Sequence, residues 1–365
     1  MGRRASGEGS IGKRKDGTYY GTVQSDGRRE WVYGATRREV AGKLKELRQK
    51  VEQSINLDAD RMTVKEFLGR WLEDVVKQRN KPRTYESYTQ MVRDHIVPAL
   101  GSTQLSTLRP DHIQAFVNQL TKKGKSPRTV QYARAILRKA LNQAIKWRYL
   151  SFNAAAVVEG PRVDAYEAQP LTKEEARRLM DALKGHRLEA LYLMTLLLGL
   201  RRGEVLGLLI ANLDLEGGLV TIDGVLQWQG GRLVRGTTKT KASTRTLPLP
   251  PSLIPVLKAH LEHQQAKFPQ NTYVFASTTG TPINPRNLLR QFKVLLERAG
   301  IREIRFHDLR HTAATFLIAR GEHPRVVMDI LGHSQISTTL NIYGHILNET
   351  RSDAVSGLDA YLSGG

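Results

Sequence analysis

Residues 188–200, LEALYLMTLLLGL, carry apolar side chains around the whole circumference of the helix that they predict. Such a helix has no face suited to water, so it is stable only when a domain encloses it. The chain has 365 residues, 40% of them hydrophobic, which is enough to build a sizeable core around this helix. The segment is too short to span a bilayer, and no other stretch reaches the roughly 18 apolar residues that spanning requires. We therefore expect a globular protein of two or three domains.

The first domain, predicted over residues 1–56, shows short β-like runs followed by one helix. Asp16-Gly17 and Ser25-Asp26-Gly27 mark the turns between runs that are rich in aromatic and alternating residues. Thr36 with Glu39 forms a capping-box pattern that opens the helix. The pattern predicts a small three-stranded sheet plus a helix, of a size that fits the DNA major groove. A basic β-module without a ligand is the alternative.

The second domain, predicted over residues 61–160, is helical. Thr63 with Glu66 opens its first helix, and Ser126 followed by Pro127 opens its last. Four helices are expected. Cations on helices are usually only solvated, but here they greatly outnumber anions, which favours contact with phosphates. The basic residues in question are Lys81, Arg83, Lys122, Lys123, Lys125, Arg128, Arg134, Arg138 and Lys139.

The third domain, predicted over residues 168–365, is mainly α with a small β-sheet. Thr172 with Glu175 opens its first helix. Residues 218–250 alternate between apolar and polar types and contain several glycines, which predicts strands and hairpins, and helices resume after them. The fold class expected for the whole chain is therefore multidomain α+β.

Charge and composition narrow the function classes. Lys and Arg number 56 against 35 Asp and Glu, a net charge of +21, which indicates a polyanionic partner. Nucleic acid fits best, and an anionic membrane surface is the rival. The absence of cysteine excludes disulfides and thiolate chemistry, and the first residues lack the apolar core of a secretory signal, so we expect a cytoplasmic protein. Because the last domain shows no carboxylate cluster for divalent ions, neither a metal nor another cofactor is predicted.

Several polar side chains of the last domain have ordinary interpretations when each is taken alone. Arg201 beside a buried helix suits a structural ion pair, and His307 suits a helix cap or a core histidine. Tyr343, within GHSQISTTLNIYGH, suits a packing aromatic. His307 and His311 lie four residues apart, but no glutamate stands between them as in zinc proteases. None of these residues alone identifies a function.

Their order along the chain is more specific. The segments GLRRGEVLGL, TKTKASTRTLPLP, HDLRHTAAT and LGHSQISTTLNIYGH follow one another in the last half of the chain. Together they resemble the tyrosine recombinase (phage integrase) family. The resemblance implies an integrase catalytic fold for the last domain and a SAM-like core-binding domain before it. It also makes the N-terminal module similar to the arm-site-binding domain of some integrases.

The resemblance implies a role for each matching residue. Arg201 and Arg310 would clamp one DNA phosphate, while His307 and His333 would add hydrogen bonds. Tyr343 would attack phosphorus and form a 3′-phosphotyrosine bond. A hairpin lysine would protonate the leaving oxygen, and Lys239 matches this place best, with Lys241 left open. Arg202 competes with Arg201, but the G-L-R-x-x-E spacing favours Arg201 and gives Glu204 the role of orienting the cations.

The same resemblance implies partners. Double-stranded DNA would be bound at core and arm attachment sites by a homotetramer that passes through a Holliday junction, integrating or excising a phage or mobile element. The C-terminal tail with Val355, Leu358 and Leu362 would pack on a neighbouring protomer or on its own domain. An excisionase and a DNA-bending protein are possible partners in a bacterial, nucleoid-associated setting. The alternatives are a type IB topoisomerase and a non-catalytic DNA-binding regulator.

Overall fold

The computed structural model describes residues 10–25, 28–52, 61–164, 166–237 and 244–332. The chain divides into two compact units, Met1–Ala165 and Tyr166–Gly365. Helices and small sheets make up the fold, so the predicted α+β class is confirmed. The finer division into domains at 1–56, 61–160 and 168–365 stays a prediction.

The N-terminal module is a three-stranded antiparallel sheet with one helix, as predicted. Its sheet has the order β1-β2-β3, and Gly17 turns the chain between β1 and β2 with a φ of +88°. The predicted cap of the helix differs in one detail, because Glu39 accepts from the Ala35 N–H at 2.9 Å rather than from Thr36. The elements are β1 (Ser10–Lys13), β2 (Tyr19–Ser25), β3 (Arg28–Gly34) and α1 (Arg37–Glu52).

Four helical runs follow, which confirms the predicted number among the described residues. Thr63 and Glu66 form the reciprocal cap, and Ser126 accepts from the Thr129 N–H at 3.3 Å ahead of Pro127. The first two runs each contain a π-helical turn, at Leu72–Val76 and Val92–Ile96. Their helices are α2 (Val64–Trp71), α3 (Lys77–Arg79), α4 (Pro82–Met91), α5 (Val97–Leu100), α6 (Pro110–Lys122) and α7 (Pro127–Lys146).

The second unit is mainly helical, with two small sheets. Its helices are α8 (Lys173–Leu183), α9 (Glu189–Leu198), α10 (Arg202–Leu206), α11 (Leu253–Lys267), α12 (Pro285–Arg298), α13 (Asp308–Ala319) and α14 (Pro324–Leu331). Its strands are β4 (Leu213–Asp214), β5 (Leu219–Ile222), β6 (Gly224–Gln229), β7 (Arg232–Thr237) and β8 (Arg245–Pro248). The strands form a sheet of order β4-β5-β8 and a separate β6-β7 hairpin.

Helix α9 lies inside the core of the second unit, as its all-round apolar sequence predicts. Nearly every one of its side chains is buried, and Tyr192 within it packs against Phe292 and Phe306. The central sheet adds Val220 and Leu247 from facing strand positions. Because α9 is held on all sides, its C-terminal end at Gly199 is a fixed point from which the next residues are positioned.

Candidate active site

The C-terminal end of α9 positions Arg201 in the site. Gly199 has a φ of +61°, in the left-handed region that favours glycine, and a Cβ there would lie 2.3 Å from Cδ2 of Leu331. Two residues later, Arg201 caps the short helix α10. Its Nη1 donates to Oε1 of Glu204 at 2.7 Å, and its backbone N–H donates to Oε2 at 3.0 Å. The tight turn and the cap therefore fix both the backbone and the guanidinium of Arg201.

Glu204 is a buried carboxylate shared by two arginines. It is 2% exposed, and it also accepts from Nη2 of Arg245 at 3.0 Å. Burial alone would raise the pKa of Glu204, but the charges and hydrogen bonds of Arg245 and Arg201 more than offset it, and the pKa lies below its ordinary value. The group is thus an anion that orients cations.

Arg310 lies on the first turn of α13 and is almost fully enclosed. It is 3% exposed, and its Nη1 donates to the Gly199 carbonyl at 2.7 Å. Its Nη2 is buried and has no hydrogen-bond partner among the described residues. Burial and the nearby charge of Arg201 lower the pKa of Arg310 to about 9, so it remains a cation at neutral pH. A buried cation with an unused donor lies beside a second guanidinium.

His307 precedes α13 as its N-terminal capping residue rather than lying within the helix. His307 is partly exposed, but the withdrawal of part of its ring from water, together with the neighbouring His311 and Arg310, lowers the pKa of His307 to about 4. The two imidazole rings lie 5.1 Å apart and nearly perpendicular. At neutral pH His307 is therefore an uncharged ring that forms hydrogen bonds without adding to the positive charge.

The start of α13 is held by a cluster that the sequence did not reveal. Asp308 is fully buried and accepts from the Tyr166 hydroxyl at 2.8 Å and from Nη2 of Arg305 at 3.0 Å. The Arg305 guanidinium lies over the Tyr166 ring, 3.1 Å from its centroid. Because Asp308 lies between His307 and Arg310 in the chain, these contacts fix both of them. The only signal in the sequence was an acidic residue at a helix start, which is common.

Arg245 is a second residue that we did not assign from the sequence. It lies in the segment TKTKASTRTLPLP, where the Ser-x-Arg pattern supports only the choice of Lys239 as the hairpin lysine. In the structure it opens β8 and joins Glu204 to the end of α14. A role for this arginine could have been sought from its place in that segment.

The structure thus brings together four of the predicted residues, Arg201, Glu204, His307 and Arg310. Arg202, the competitor of Arg201, lines a cleft together with Tyr166 and His307. Four other residues lie outside the described part of the chain: Lys239, Lys241, His333 and Tyr343. The proposed C-terminal tail with Val355, Leu358 and Leu362 lies outside it as well.

The described residues contain no group of three or more His, Cys, Asp or Glu side chains arranged to hold a metal ion. In the same ranges, no helix is both long and apolar enough to cross a membrane.

Comparison with known proteins identifies the family. Residues 169–350 match the Phage integrase family, and residues 63–121 match the Phage integrase, N-terminal SAM-like domain. A tyrosine recombinase XerC-like protein of Caldanaerobacter subterraneus subsp. tengcongensis is 33% identical over 357 residues, covering 91% of each chain. This chain belongs to the tyrosine recombinase (phage integrase) family. Tyrosine recombinases catalyse site-specific DNA strand exchange, and DNA is therefore the substrate.

Other relatives of this tyrosine recombinase are integrases. The ICEBs1 integrase of Bacillus subtilis is 25% identical over 292 residues, covering 78% of this chain and 79% of that protein. Among solved structures, the Tn1549 transposon integrase in complex with transposon right end DNA covers 82% of this chain, with a TM-score of 0.70 and 20% identity. A lambda integrase tetramer bound to a Holliday junction covers 89%, with a TM-score of 0.58 and 18% identity. These structures share the fold of this tyrosine recombinase.

Proposed function

We propose that this recombinase cleaves and rejoins DNA by attack of Tyr343 on a phosphate clamped between Arg201 and Arg310. The observation that carries the proposal is Arg310: a guanidinium 3% exposed, with a buried Nη2 that has no partner among the described residues. Burying a cationic donor without a partner is costly, so such a group is suited to bind an anion. A phosphate diester supplies two non-bridging oxygens that match the planar fork of arginine.

The reaction is a transfer between two phosphate esters. The Tyr343 oxygen bonds to phosphorus as the bond from phosphorus to the 5′-oxygen breaks, and Lys239, or Lys241 in its place, gives the departing oxygen a proton. The phenol loses its own proton to a nearby base within a cationic field that favours the phenolate. Religation reverses each step, since the ester bond is conserved in the 3′-phosphotyrosine.

The enclosed cations suit the transition state. Negative charge accumulates on the non-bridging oxygens as phosphorus becomes five-coordinate, and donors that are already in place stabilise that charge without reorganising. Arg201 and Arg310 are held by Glu204 and by the Gly199 carbonyl, respectively. His307, neutral because its pKa is about 4, would offer a hydrogen bond to the same phosphate. His333 would add another.

The wider assembly follows from the same proposal. Four protomers would exchange strands between two duplexes through a Holliday junction, integrating or excising a mobile element, as the names of the integrase relatives suggest.

The basic residues of α4, α6 and α7 would contact the core site. The exposed face of the N-terminal sheet would read arm sites, since Trp31 and Tyr33 are 45% and 44% exposed there and Arg14 lies over the Tyr33 ring. An excisionase and a DNA-bending protein are possible further partners.

A nicked suicide substrate tests the chemistry. We expect the wild-type protein to become covalently attached to the broken DNA end, and Tyr343→Phe to form no adduct while still binding DNA. Tyr192→Phe is the matched control, because its hydroxyl is buried in the core without a hydrogen-bond partner among the described residues. An adduct formed by Tyr343→Phe would contradict the proposal. Holliday junctions formed from two duplexes then distinguish a recombinase from a type IB topoisomerase.

Removal of residues 1–56 tests the arm-site proposal. The shortened protein should lose binding to an arm-type duplex in gel-shift assays and keep cleavage of a core-type duplex. Retained arm binding would place that recognition elsewhere in the chain.

A further inference from the structure

Each of the three nitrogens of the Arg245 guanidinium makes a contact within the protein. Its Nε donates to the Ile330 carbonyl at 2.8 Å, and its Nη2 and Nη1 approach the two oxygens of Glu204 at 3.0 and 3.4 Å. The side chain is only 8% exposed. Arg245 therefore stands behind the proposed phosphate clamp instead of forming part of it, and it joins β8 to both α10 and the last turn of α14.

The end of α14 is held from three sides. Arg201 donates from Nη2 to the Gly332 carbonyl at 2.8 Å, and Arg245 donates to the Ile330 carbonyl. Leu331 packs so closely on Gly199 that a Cβ on that glycine would lie 2.3 Å away. Gly332 has a φ of +65°, and a Cβ there would lie 2.8 Å from Nη1 of Arg245. The Arg245 guanidinium thus lies directly against the backbone of Gly332. His333 is the next residue in the sequence.

The charges are arranged in the same way. Glu204 alone would neutralise Arg201, whereas Glu204 shared by two guanidiniums leaves one net positive charge on the trio. Arg310 adds a second positive charge next to it. Arg201 thus stays cationic while Glu204 fixes its orientation, and the part that Arg245 plays is to hold Glu204 and the α14 turn in place.

We infer that Arg245 is a positioning residue for the strand-transfer reaction, acting through Glu204 on Arg201 and through the Ile330 and Gly332 turn on the residue that follows it. This inference rests on the proposed phosphate clamp of Arg201 and Arg310. Arg245 touches no DNA. Its loss should lower the cleavage rate at saturating DNA and leave the affinity for DNA unchanged.

The first test compares Arg245→Met and Arg245→Lys with Arg310→Ala in single-turnover cleavage. One substrate carries a normal scissile phosphate, and the other carries a methylphosphonate, which lacks one negative oxygen. We expect Arg245→Met to cleave the normal substrate about 100-fold more slowly, as for a misplacement of about 1 Å, with unchanged DNA affinity. Arg245→Lys, which keeps the charge, should recover part of the rate. Thermal unfolding identifies a variant that fails to fold, and Arg245→Lys then carries the test.

The methylphosphonate separates positioning from direct contact. It should partly restore Arg310→Ala, because a neutral ester needs less positive charge, and it should not restore either Arg245 variant. Restoration of the Arg245 variants, or a wild-type cleavage rate in both, would overturn the inference. Normal cleavage by Arg310→Ala would instead overturn the proposed clamp itself.

A double-mutant cycle tests the contact with the turn. Gly332→Ala adds a methyl group against Arg245, so its cost in cleavage rate should be smaller in the Arg245→Lys background than in the wild type. Gly321→Ala is the matched control, since Gly321 also has a positive φ, +82°, but no atom near its Cβ position. Its cost should be the same in both backgrounds. Strictly additive costs for Gly332→Ala would overturn the coupling.

Discussion

The helical region of the first unit and the catalytic unit differ in whether charged side chains are buried. In the helical region the ion pairs lie on the surface: Arg70 and Asp74 are 54% and 53% exposed, and Arg93 is 71% exposed. The catalytic unit has surface pairs as well, but it also holds charges inside, with Glu204 at 2% and Arg310 at 3% exposure. Both regions enclose an apolar helical core, so the difference is confined to the charged groups.

This contrast separates binding from chemistry. A surface ion pair contributes roughly 0–1 kcal/mol to stability, so its cation is readily available to a phosphate of passing DNA. A buried charge costs several kcal/mol in desolvation and persists only where its partners hold it well. Such charges do not reorganise when a transition state forms, and they are therefore suited to stabilise it. We infer that the exposed cations attract DNA and the buried ones act on a single phosphate.

The largest expected effect concerns Arg310. Arg310→Ala should lower the rate of strand cleavage by about a hundred- to a thousand-fold, because it removes a preorganised donor to the phosphate, and should leave site-specific binding largely intact. Single-turnover cleavage and gel shifts measure the two quantities. Arg320→Ala, which removes an arginine that is 78% exposed in the same unit, is the control and should cleave normally. Equal cleavage rates for the two variants would show that buried and exposed cations do not differ in their contribution to strand cleavage.

A second prediction concerns stability. Glu204→Gln should lower the free energy of unfolding by about 3 kcal/mol, because it leaves the buried guanidinium of Arg245 and the partly exposed one of Arg201 without an anion. Arg93→Ala should leave it nearly unchanged, since Arg93 pairs with Asp94 in water. Urea denaturation of both variants makes the comparison. Similar losses of unfolding free energy in the two variants would mean that burial does not determine how much an ion pair contributes to stability.

The smallest effect concerns pH. The pKa of His307 is about 4 in the folded protein and about 6.5 in an unfolded chain. Between these two pH values the unfolded state binds a proton at His307 and the folded state does not, so acid favours unfolding. The contribution of His307 to stability should therefore fall from about pH 6.5 to about pH 4 and then level off. His307→Asn should reduce that loss, as measured by urea denaturation across this range. An unchanged acid slope would show that the imidazole is not held neutral by burial.

Much of the fold is predictable because its signals are local. Thr63 with Glu66 and Thr172 with Glu175 form the caps that their spacing predicts, and α9 is buried as its composition requires. The β6-β7 hairpin lies in the segment for which strands and hairpins are predicted, but the pairing of β5 with β8 could not be read in the same way. Their partners are set by which strands the core brings together, and alternation alone does not specify that.

The sequence by itself determined the order of helices and strands, the excess of cations and the residues from which a site could be built. The tertiary structure decided which of them meet. Arg201 bonds to Gly332 across 131 residues of chain, and Arg245 reaches Glu204 across 41. Tyr166 contacts Asp308 across 142. Such contacts require positions accurate to a few tenths of an ångström, which come from the packing of α9, α10, α14 and β8 together, and no local propensity encodes them.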